Sequence, residues 1–284
     1  MSPISLATGN DPVDLTIVVP TYNERERIAE LVRAVFEACH GQGIRLEMVV
    51  VDDNSPDGTG KAADELAGRY RVRVIHRTGK LGLGTAVVAG FAVAAADTVG
   101  VMDADFSHPP AMVPKLFAVF QASRADAVIA SRYIPGGSTP NWPFWRRLLS
   151  RSACLAARPL SPIRDAASGF FLIRRDIASR VAIQAGGFKI CLELLLRAWP
   201  QRLAEIPYRF DDREQGESKM SLREAAGYLI QLRELYALRW GTRIARPPRE
   251  YRQFTIEEVE AALPSAQSAK HSTPSEPILQ RSRP

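Results

Sequence analysis

The sequence predicts an α/β fold built on a doubly wound, mostly parallel sheet flanked by helices. Apolar, β-rich runs alternate with segments of helical periodicity through the first half of the chain, and polar residues follow three of these runs. Continuous apolar runs are typical of parallel strands buried on both faces, and repeated β-α units wind with right-handed crossovers. We therefore expect one sheet with helices on both faces.

The elements follow in order along the chain. Strands are predicted at 15–20, 46–51, 72–76, 98–102 and 127–130, and helices at 28–36, 61–70, 84–96 and 110–121. After Tyr133 the alternation gives way to a long loop. Further strands are predicted at 167–173 and 203–208, and helices at 191–198 and 221–240. The last helix is expected to bury a face with Leu229, Leu232 and Tyr236.

Three regions are predicted from these patterns: a flexible N-terminus at 1–13, one folded domain at 14–241, and a polar, largely disordered C-terminal tail at 242–284. Within the tail, Thr255 and Glu258 have the spacing of a capping box and predict one short helix.

Composition excludes several classes of protein. A hydrophobic fraction of 46% with 24% charged residues is typical of a folded domain. The three cysteines, Cys39, Cys154 and Cys191, have no metal-binding spacing and are odd in number, so neither a zinc site nor a disulfide scaffold is predicted.

The sequence shows no apolar stretch of the roughly 20 residues that a membrane span requires, and its first residues do not read as a signal peptide. We expect a cytoplasmic protein whose membrane contact is peripheral or through a partner protein. The net charge of +6 favours anionic partners. Because the basic residues are dispersed and no nucleic-acid motif is present, a nucleic-acid ligand is not expected.

Polar motifs follow three predicted strands: PTYNE at 20–24, DDNSPD at 52–57 and DAD at 103–105. In an open parallel sheet, ligands bind at the carboxyl ends of the strands. One such motif is ordinary turn chemistry, but three together predict a ligand site on this edge.

Asp103 and Asp105 are candidate metal ligands. In an extended segment, residues two apart point to the same side, so both carboxylates face one point. Paired carboxylates suit Mg²⁺ or Mn²⁺ bound together with substrate phosphates. The chain lacks the P-loop and dinucleotide-binding glycine motifs. Gly82 and Gly84 are compatible either with a phosphate at a helix start or with a tight turn.

The motifs VVPTYNERERI, VVVDDNSPDGTG, KLGLGTAVVAGF, VMDADFSHPP, ASRYIPGG, DAASGFFLIRR, FKICLELL and DREQGESKM occur in this order between residues 15 and 221. In these motifs the chain resembles the dolichol-phosphate (polyprenol-phosphate) mannosyltransferases of glycosyltransferase family 2. The resemblance implies a single catalytic domain of the GT-A fold. It also implies a metal-dependent enzyme that transfers mannose from GDP-mannose to a polyprenyl monophosphate with inversion.

The resemblance also assigns residues. It implies that Pro20, Tyr22 and Glu24 line the guanosine pocket, that Val51 and Asp53 contact base or ribose, and that Met102 and Ala104 flank the metal held by Asp103 and Asp105. Arg132, Arg213 and Lys219 match the cations that gather the phosphates, and with Asp105 they are the expected catalytic residues. Some relatives have a glutamine ligand where this chain has Ser107.

Segment 142–149 combines aromatic, basic and aliphatic residues and fits either a membrane-interfacial helix or an ordinary amphipathic core helix. Three rival functions remain open at this point. These are a polyprenyl-phosphate glucosyltransferase or another family 2 transferase using a UDP-sugar, a nucleotide- or nucleic-acid-binding protein, and an inactive family member acting as a scaffold.

Overall fold

Residues 12–180, 189–211, 222–241 and 248–264 are described by the computed structural model. The strands are β1 (Leu15–Thr21), β2 (Leu46–Asp52), β3 (Val72–His76), β4 (Thr98–Val101), β5 (Ala127–Ser131), β6 (Phe171–Arg174), β7 (Arg202–Pro207) and β8 (Glu250–Gln253). The helices are α1 (Arg25–His40), α2 (Thr59–Leu66), α3 (Leu83–Val93), α4 (Met112–Ser123), α5 (Phe144–Ala157), α6 (Arg175–Ala178), α7 (Ile190–Ala198), α8 (Leu222–Gly241) and α9 (Ile256–Ala262).

The strands form one eight-stranded sheet in the order β3-β2-β1-β4-β6-β5-β7-β8. Strand β6 runs antiparallel to both of its neighbours, and the other described pairings are parallel. The predicted mostly parallel, doubly wound sheet is confirmed. The parallel registers bring the carboxyl ends of β1 and β2 side by side, with Thr21 opposite Asp52.

Both faces of the sheet are buried, because β1, β2, β4 and β5 carry apolar side chains on either side. One face packs on α1, α4 and α9, and the other packs on α3 and α7. Helix α3 approaches β1 so closely that a Cβ atom at Gly90 would lie 2.4 Å from the side chain of Val18. This close approach requires glycine at that position.

The C-terminal prediction is wrong for part of its range. Within the range predicted as a largely disordered tail, residues 250–253 form β8, which extends the sheet by pairing with β7 and leads into the predicted short helix, α9. The segment EYRQ at 250–253 is too polar to be predicted as a strand. It forms one at the sheet edge because β7 supplies its backbone hydrogen-bond partners. Thr255 and Glu258 form the predicted capping box at the start of α9. The other domain limits stay a prediction.

Candidate active site

The three polar motifs lie on one edge of the sheet, as predicted. They begin at or just after the ends of β1, β2 and β4, which are adjacent and parallel, so the carboxyl ends of these strands point the same way. The edge continues through the end of β5, where Arg132 follows Ser131, and the end of β7, where Tyr208 follows Pro207.

Where β2 ends on this edge, the carboxylate of Asp53 forms an ion pair with Arg77, a residue that was not predicted from the sequence. Nη1 of Arg77 lies 2.7 Å from Oδ1 of Asp53, and both side chains are buried. The Gly82 N–H donates to Oδ2 of Asp53 at 3.2 Å, and Nη1 of Arg77 donates to the Gly82 carbonyl oxygen at 3.1 Å. Gly82 has a φ of 96°, so it is a turn glycine whose amide already binds Asp53. Arg77 directly follows β3. The rule used for the other strands, that polar residues just after a strand mark the ligand site, therefore also predicts Arg77.

The PTYNE segment lies beside this cluster. The backbone N–H of Glu24 donates to the Thr59 hydroxyl at 2.9 Å, and the Glu24 carboxylate accepts from Arg27 at 3.3 Å. The ring of Tyr22 is partly exposed, and Nζ of Lys80 lies 3.9 Å from its centroid. Of the other predicted nucleotide contacts, Val51 is fully buried and Pro20 is half-buried.

Asp103 and Asp105 follow β4 and differ in exposure. The Asp103 side chain is 40% exposed, whereas Asp105 is buried and accepts the Ser107 N–H at 3.0 Å. The flanking residues Met102 and Ala104 are also buried. One carboxylate therefore reaches the site opening while the other is fixed by its own loop.

His108, missed by the sequence reasoning, organises this loop. Its Nδ1 accepts the backbone N–H of Asp103 at 3.0 Å, its Nε2 lies 3.7 Å from Oδ2 of Asp103, and its ring stacks on Phe170 at 4.7 Å. Burial lowers the pKa of His108, although both Asp103 and Asp105 act in the opposite direction. The ring is thus neutral, with Nδ1 as the acceptor.

The residues present fit a divalent cation. Two carboxylates, one of them open to solvent, are hard oxygen donors, and the Ser107 hydroxyl is buried without a hydrogen-bond partner in the described part of the chain. Among the described residues, no third His, Cys, Asp or Glu joins the pair in a metal-holding group. The remaining ligands would therefore come from oxygens of substrate, water or Ser107.

Arg132 lies further along the same edge in a buried ion pair with Asp165. Nε and Nη2 of Arg132 each donate to the Asp165 carboxylate at 2.7 Å, and both side chains are almost inaccessible to solvent. The Cζ atom of Arg132 lies 5.3–5.5 Å from the ring centroids of Tyr133, Trp142 and Phe210. Three aromatic rings therefore lie around the guanidinium. The Nε and Nη2 atoms of Arg132 are directed at Asp165.

Lys189 adds a second cation near Arg132. Burial lowers its pKa, the Arg132 charge lowers it further, and Asp165 and Asp103 oppose the change. Lys189 lies in the FKICLELL motif, and its place in that motif was the sequence signal from which a role at the site could have been predicted. The predicted phosphate-binding residues Arg213 and Lys219 lie outside the described residues.

Most of segment 142–149 belongs to helix α5, and its side chains differ in exposure. Phe144, Trp145, Leu148 and Leu149 are exposed on the helix, whereas Cys154 and Ala157 are buried beneath it. The exposed face also carries Arg147 and Arg151, so it has the composition of an interfacial helix. In the described part of the chain, none of the helices combines the length and the hydrophobicity that crossing a bilayer demands.

Comparison with known proteins places the chain in a family. Residues 16–182 match the family model described as glycosyl transferase family 2. A dolichol-phosphate mannosyltransferase of Pyrococcus furiosus is 41% identical over 82% of this chain, and the match spans 66% of that protein, slightly less than two thirds. The enzyme of the same name from Saccharomyces cerevisiae is 38% identical over 81% of this chain and 89% of its own length. The polyprenol monophosphomannose synthase of Mycolicibacterium smegmatis is 40% identical, with coverages of 76% and 88%.

Solved structures share the fold. Glucosyl-3-phosphoglycerate synthase of Mycobacterium tuberculosis, in complex with Mn²⁺ and UDP, superposes with a TM-score of 0.58 at 19% identity, covering 84% of this chain and 91% of that one. A mannosyltransferase of Pyrobaculum calidifontis, in complex with GDP-Man and Mn²⁺, gives 0.56 at 20% identity, with coverages of 92% and 74%. The expected GT-A fold is thereby confirmed. The chain belongs to glycosyl transferase family 2, and its resemblance to the dolichol-phosphate mannosyltransferases of that family is confirmed.

Proposed function

We propose that this enzyme transfers mannose from GDP-mannose to a polyprenyl monophosphate, with inversion at the anomeric carbon. The relatives support mannose as the sugar, and they do not favour the glucosyl or UDP-sugar alternative. The observation that carries the proposal is the placement of a carboxylate pair and a buried, oriented arginine on one sheet edge. Both Asp103 and Arg132 lie close enough to His108 to act on its pKa.

The acceptor needs no general base from the protein. The second pKa of a phosphate monoester is ~6, so near neutral pH the headgroup is largely a dianion and already a nucleophile. One of its oxygens attacks the anomeric carbon, the bond from that carbon to the diphosphate breaks, and GDP leaves with the electron pair. No proton has to be removed. The protein instead has to hold two anionic substrates in line.

Arg132 is suited to this task. Its guanidinium has five N–H donors in a rigid fork, and its bonds to Asp165 occupy Nε and Nη2. The other donors are left to bind phosphate oxygens, while Asp165 fixes the orientation of the group. Arg213 and Lys219 are proposed, from their motif positions, to add positive charge at the same phosphates.

Asp103 and Asp105 are proposed to hold Mg²⁺ or Mn²⁺ at the diphosphate. When bound, the ion would neutralise charge on the leaving group. Met102 and Ala104 keep the loop in place on either side of Asp103. On the nucleotide side, Pro20, Tyr22, Glu24, Val51 and Asp53 are proposed to form the guanosine pocket. The ion pair with Arg77 keeps the Asp53 carboxylate fixed at the strand end.

The lipid part of the acceptor places the reaction at a membrane surface, and we assign contact with that surface to the exposed face of α5. Its aromatic and aliphatic side chains suit the headgroup boundary, and its arginines suit anionic lipids. This contact would be peripheral and on the cytoplasmic side, with or without an anchoring partner protein.

The test is transfer of radiolabelled mannose from GDP-mannose to a short polyprenyl phosphate, with and without EDTA. Wild type should form the lipid product only when a divalent ion is present. Asp105→Ala should retain less than a tenth of the turnover, and Asp176→Ala, at an exposed ion pair far along the chain, is the matched control and should remain active. No lipid product from wild type with any divalent ion would refute the function. Activity retained by Asp105→Ala would refute only the metal site.

A further inference from the structure

Two buried hydrogen-bond donors beside Arg132 find no partner among the residues that the structure describes. The indole Nε1 of Trp142 and the hydroxyl of Tyr208 make no hydrogen bond within the described residues, although the two side chains are only 6% and 3% exposed. A buried donor without an acceptor destabilises a folded protein, so native structures rarely keep one without a reason. Two such donors around one cation point to a ligand.

Tyr208 lies on the edge that carries the proposed site. It directly follows β7, and its backbone N–H donates to the carbonyl oxygen of Ser131, the last residue of β5. Its ring contacts His108 edge-on, with centroids 6.1 Å apart. Because His108 binds the backbone of Asp103, Tyr208 lies next to the carboxylate loop as well as next to Arg132.

Trp142 contacts the same Phe210 ring as Tyr208. The centroids of Trp142 and Phe210 are 5.3 Å apart, those of Tyr208 and Phe210 are 6.3 Å apart, and the Arg132 guanidinium is 5.3 Å from the Trp142 ring. Trp142 also lies two residues before the helix that we assign to the membrane surface. The two donors therefore border the guanidinium on the side of the carboxylate loop and on the side of the lipid.

The chemistry of the unpaired groups selects the ligand class. An indole N–H only donates, and burial raises the pKa of the Tyr208 hydroxyl, so it stays protonated and able to donate. Arg132 only donates as well. The group that accepts hydrogen bonds from all three is an anion with several oxygen atoms, and among the proposed substrates the phosphate groups meet this requirement.

We propose that Tyr208 and Trp142 bind phosphate oxygens together with Arg132. This inference rests on the proposed function, which supplies two phosphate sources, the diphosphate of GDP-mannose and the monophosphate of the polyprenyl acceptor. The donor diphosphate lies toward Asp103 and the acceptor phosphate toward α5, and the two substrates can be varied separately.

The decisive variant is Tyr208→Phe, which removes the hydroxyl and keeps the ring. If the hydroxyl serves a ligand, the ligand-free variant should melt at the same temperature as wild type or higher, because a buried unpaired group has been removed. Its KM for one of the two substrates should rise about 10- to 100-fold, as expected for a lost hydrogen bond to a charged group. The substrate whose KM rises identifies the phosphate.

Tyr228→Phe is the matched control. The Tyr228 hydroxyl is also in a buried side chain, but it donates to the Ala153 carbonyl oxygen at 2.7 Å. That variant should melt at a lower temperature than wild type and keep both KM values. Trp142→Phe loses ring volume and should melt lower as well, but it should raise the KM for at least one of the two substrates.

Ligand-induced rises in melting temperature give a readout without turnover, using GDP with Mn²⁺ in one arm and a short polyprenyl phosphate in the other. The Tyr208→Phe variant should lose part of the rise in at least one arm. Unchanged KM values and unchanged rises in both arms would overturn the inference, since the hydroxyl would then serve only the fold. If wild type itself transfers no mannose and gains no stability from either compound, the proposed function fails instead.

Discussion

The carboxylate of Asp165 receives three hydrogen bonds from Arg132: two from the guanidinium at 2.7 Å each and one from the backbone N–H at 2.9 Å. Asp165 is completely buried, and Arg132 nearly so. A buried ion pair of this kind contributes little net stability, because removing both charges from water offsets their attraction. Its consequence is orientation: the guanidinium and the start of the loop after β5 are held by one carboxylate.

Asp165→Asn should therefore be strongly destabilising. The amide keeps the shape of the side chain but leaves the buried Arg132 charge unpaired, and breaking such a pair costs about 3–5 kcal/mol. The free energy of unfolding from urea titration measures this. Asp176→Asn removes an acid from an exposed ion pair with Arg174 and should change that free energy by less than about 1 kcal/mol. Equal effects of the two substitutions would contradict the orienting role of Asp165.

His108 should act on metal affinity through the Asp103 backbone. His108→Phe keeps an aromatic ring against Phe170 but removes the acceptor for the Asp103 N–H. We expect Mn²⁺ affinity in the presence of GDP to fall about 10-fold or more, as for other outer-shell partners of metal ligands. Calorimetric titration measures it. His108→Asn offers an amide oxygen as acceptor and should recover part of the affinity. Wild-type affinity in His108→Phe, with the loss confined to His108→Asn, would show that the ring stacking matters and the hydrogen bond does not.

Glu205 should make stability depend on pH. On β7, it accepts the backbone N–H groups of Arg164 and Asp165 at 2.9 and 3.0 Å and also contacts the Tyr251 hydroxyl. Burial raises its pKa, and the hydrogen bonds only partly oppose this. Above the ordinary glutamate pKa of about 4.3, the folded state holds this proton more tightly than the unfolded state does. Glu205 therefore makes its full contribution to the unfolding free energy below that pH. This contribution is lost as the pH rises through the raised pKa.

The comparison with Glu205→Gln isolates this contribution, because the other titrating groups are common to both proteins. The unfolding free energy of wild type minus that of the variant should decrease as the pH is raised from about 4 to about 7. Urea titrations across this range measure it. A difference that grows with pH would mean that the folded state favours the charged carboxylate.

The sequence predicted the sheet and the edge where the site lies, because both follow from local signals. Apolar runs mark buried strands, and polar residues at their ends mark the rim. The partners that complete the site were not predictable in this way. Asp165 pairs with Arg132 across 33 positions, and only the assembled sheet brings the two together. The end of β3 marks the position of Arg77, but its pairing with Asp53, 24 positions away, is seen only in the structure.

Helix α8 shows the same limit. The periodicity predicted Leu229, Leu232 and Tyr236 on the buried face. Leu232 is buried and Tyr236 packs against the same cluster, but Leu229 is 65% exposed, and Tyr228 and Leu235 face the core in its place. Apolar residues occur on more than one side of this helix. The direction in which it packs is therefore decided by its contacts with α5 and α7, including the Tyr228 hydrogen bond to Ala153.

The exposed face of α5 should govern binding to anionic vesicles. Trp145 and Leu148 are 59% and 55% exposed, so replacing both with serine removes apolar area from the surface and not from the core. We expect the double variant to keep the melting temperature of wild type within a few degrees and to lose most of its flotation with vesicles that contain phosphatidylserine. Trp240→Ser is the control, since this tryptophan is 70% exposed on α8 and tests apolar exposure as such. If the control loses flotation and the α5 variant does not, the contact lies on α8. If wild type does not float at all, an anchoring partner protein has to supply the membrane contact.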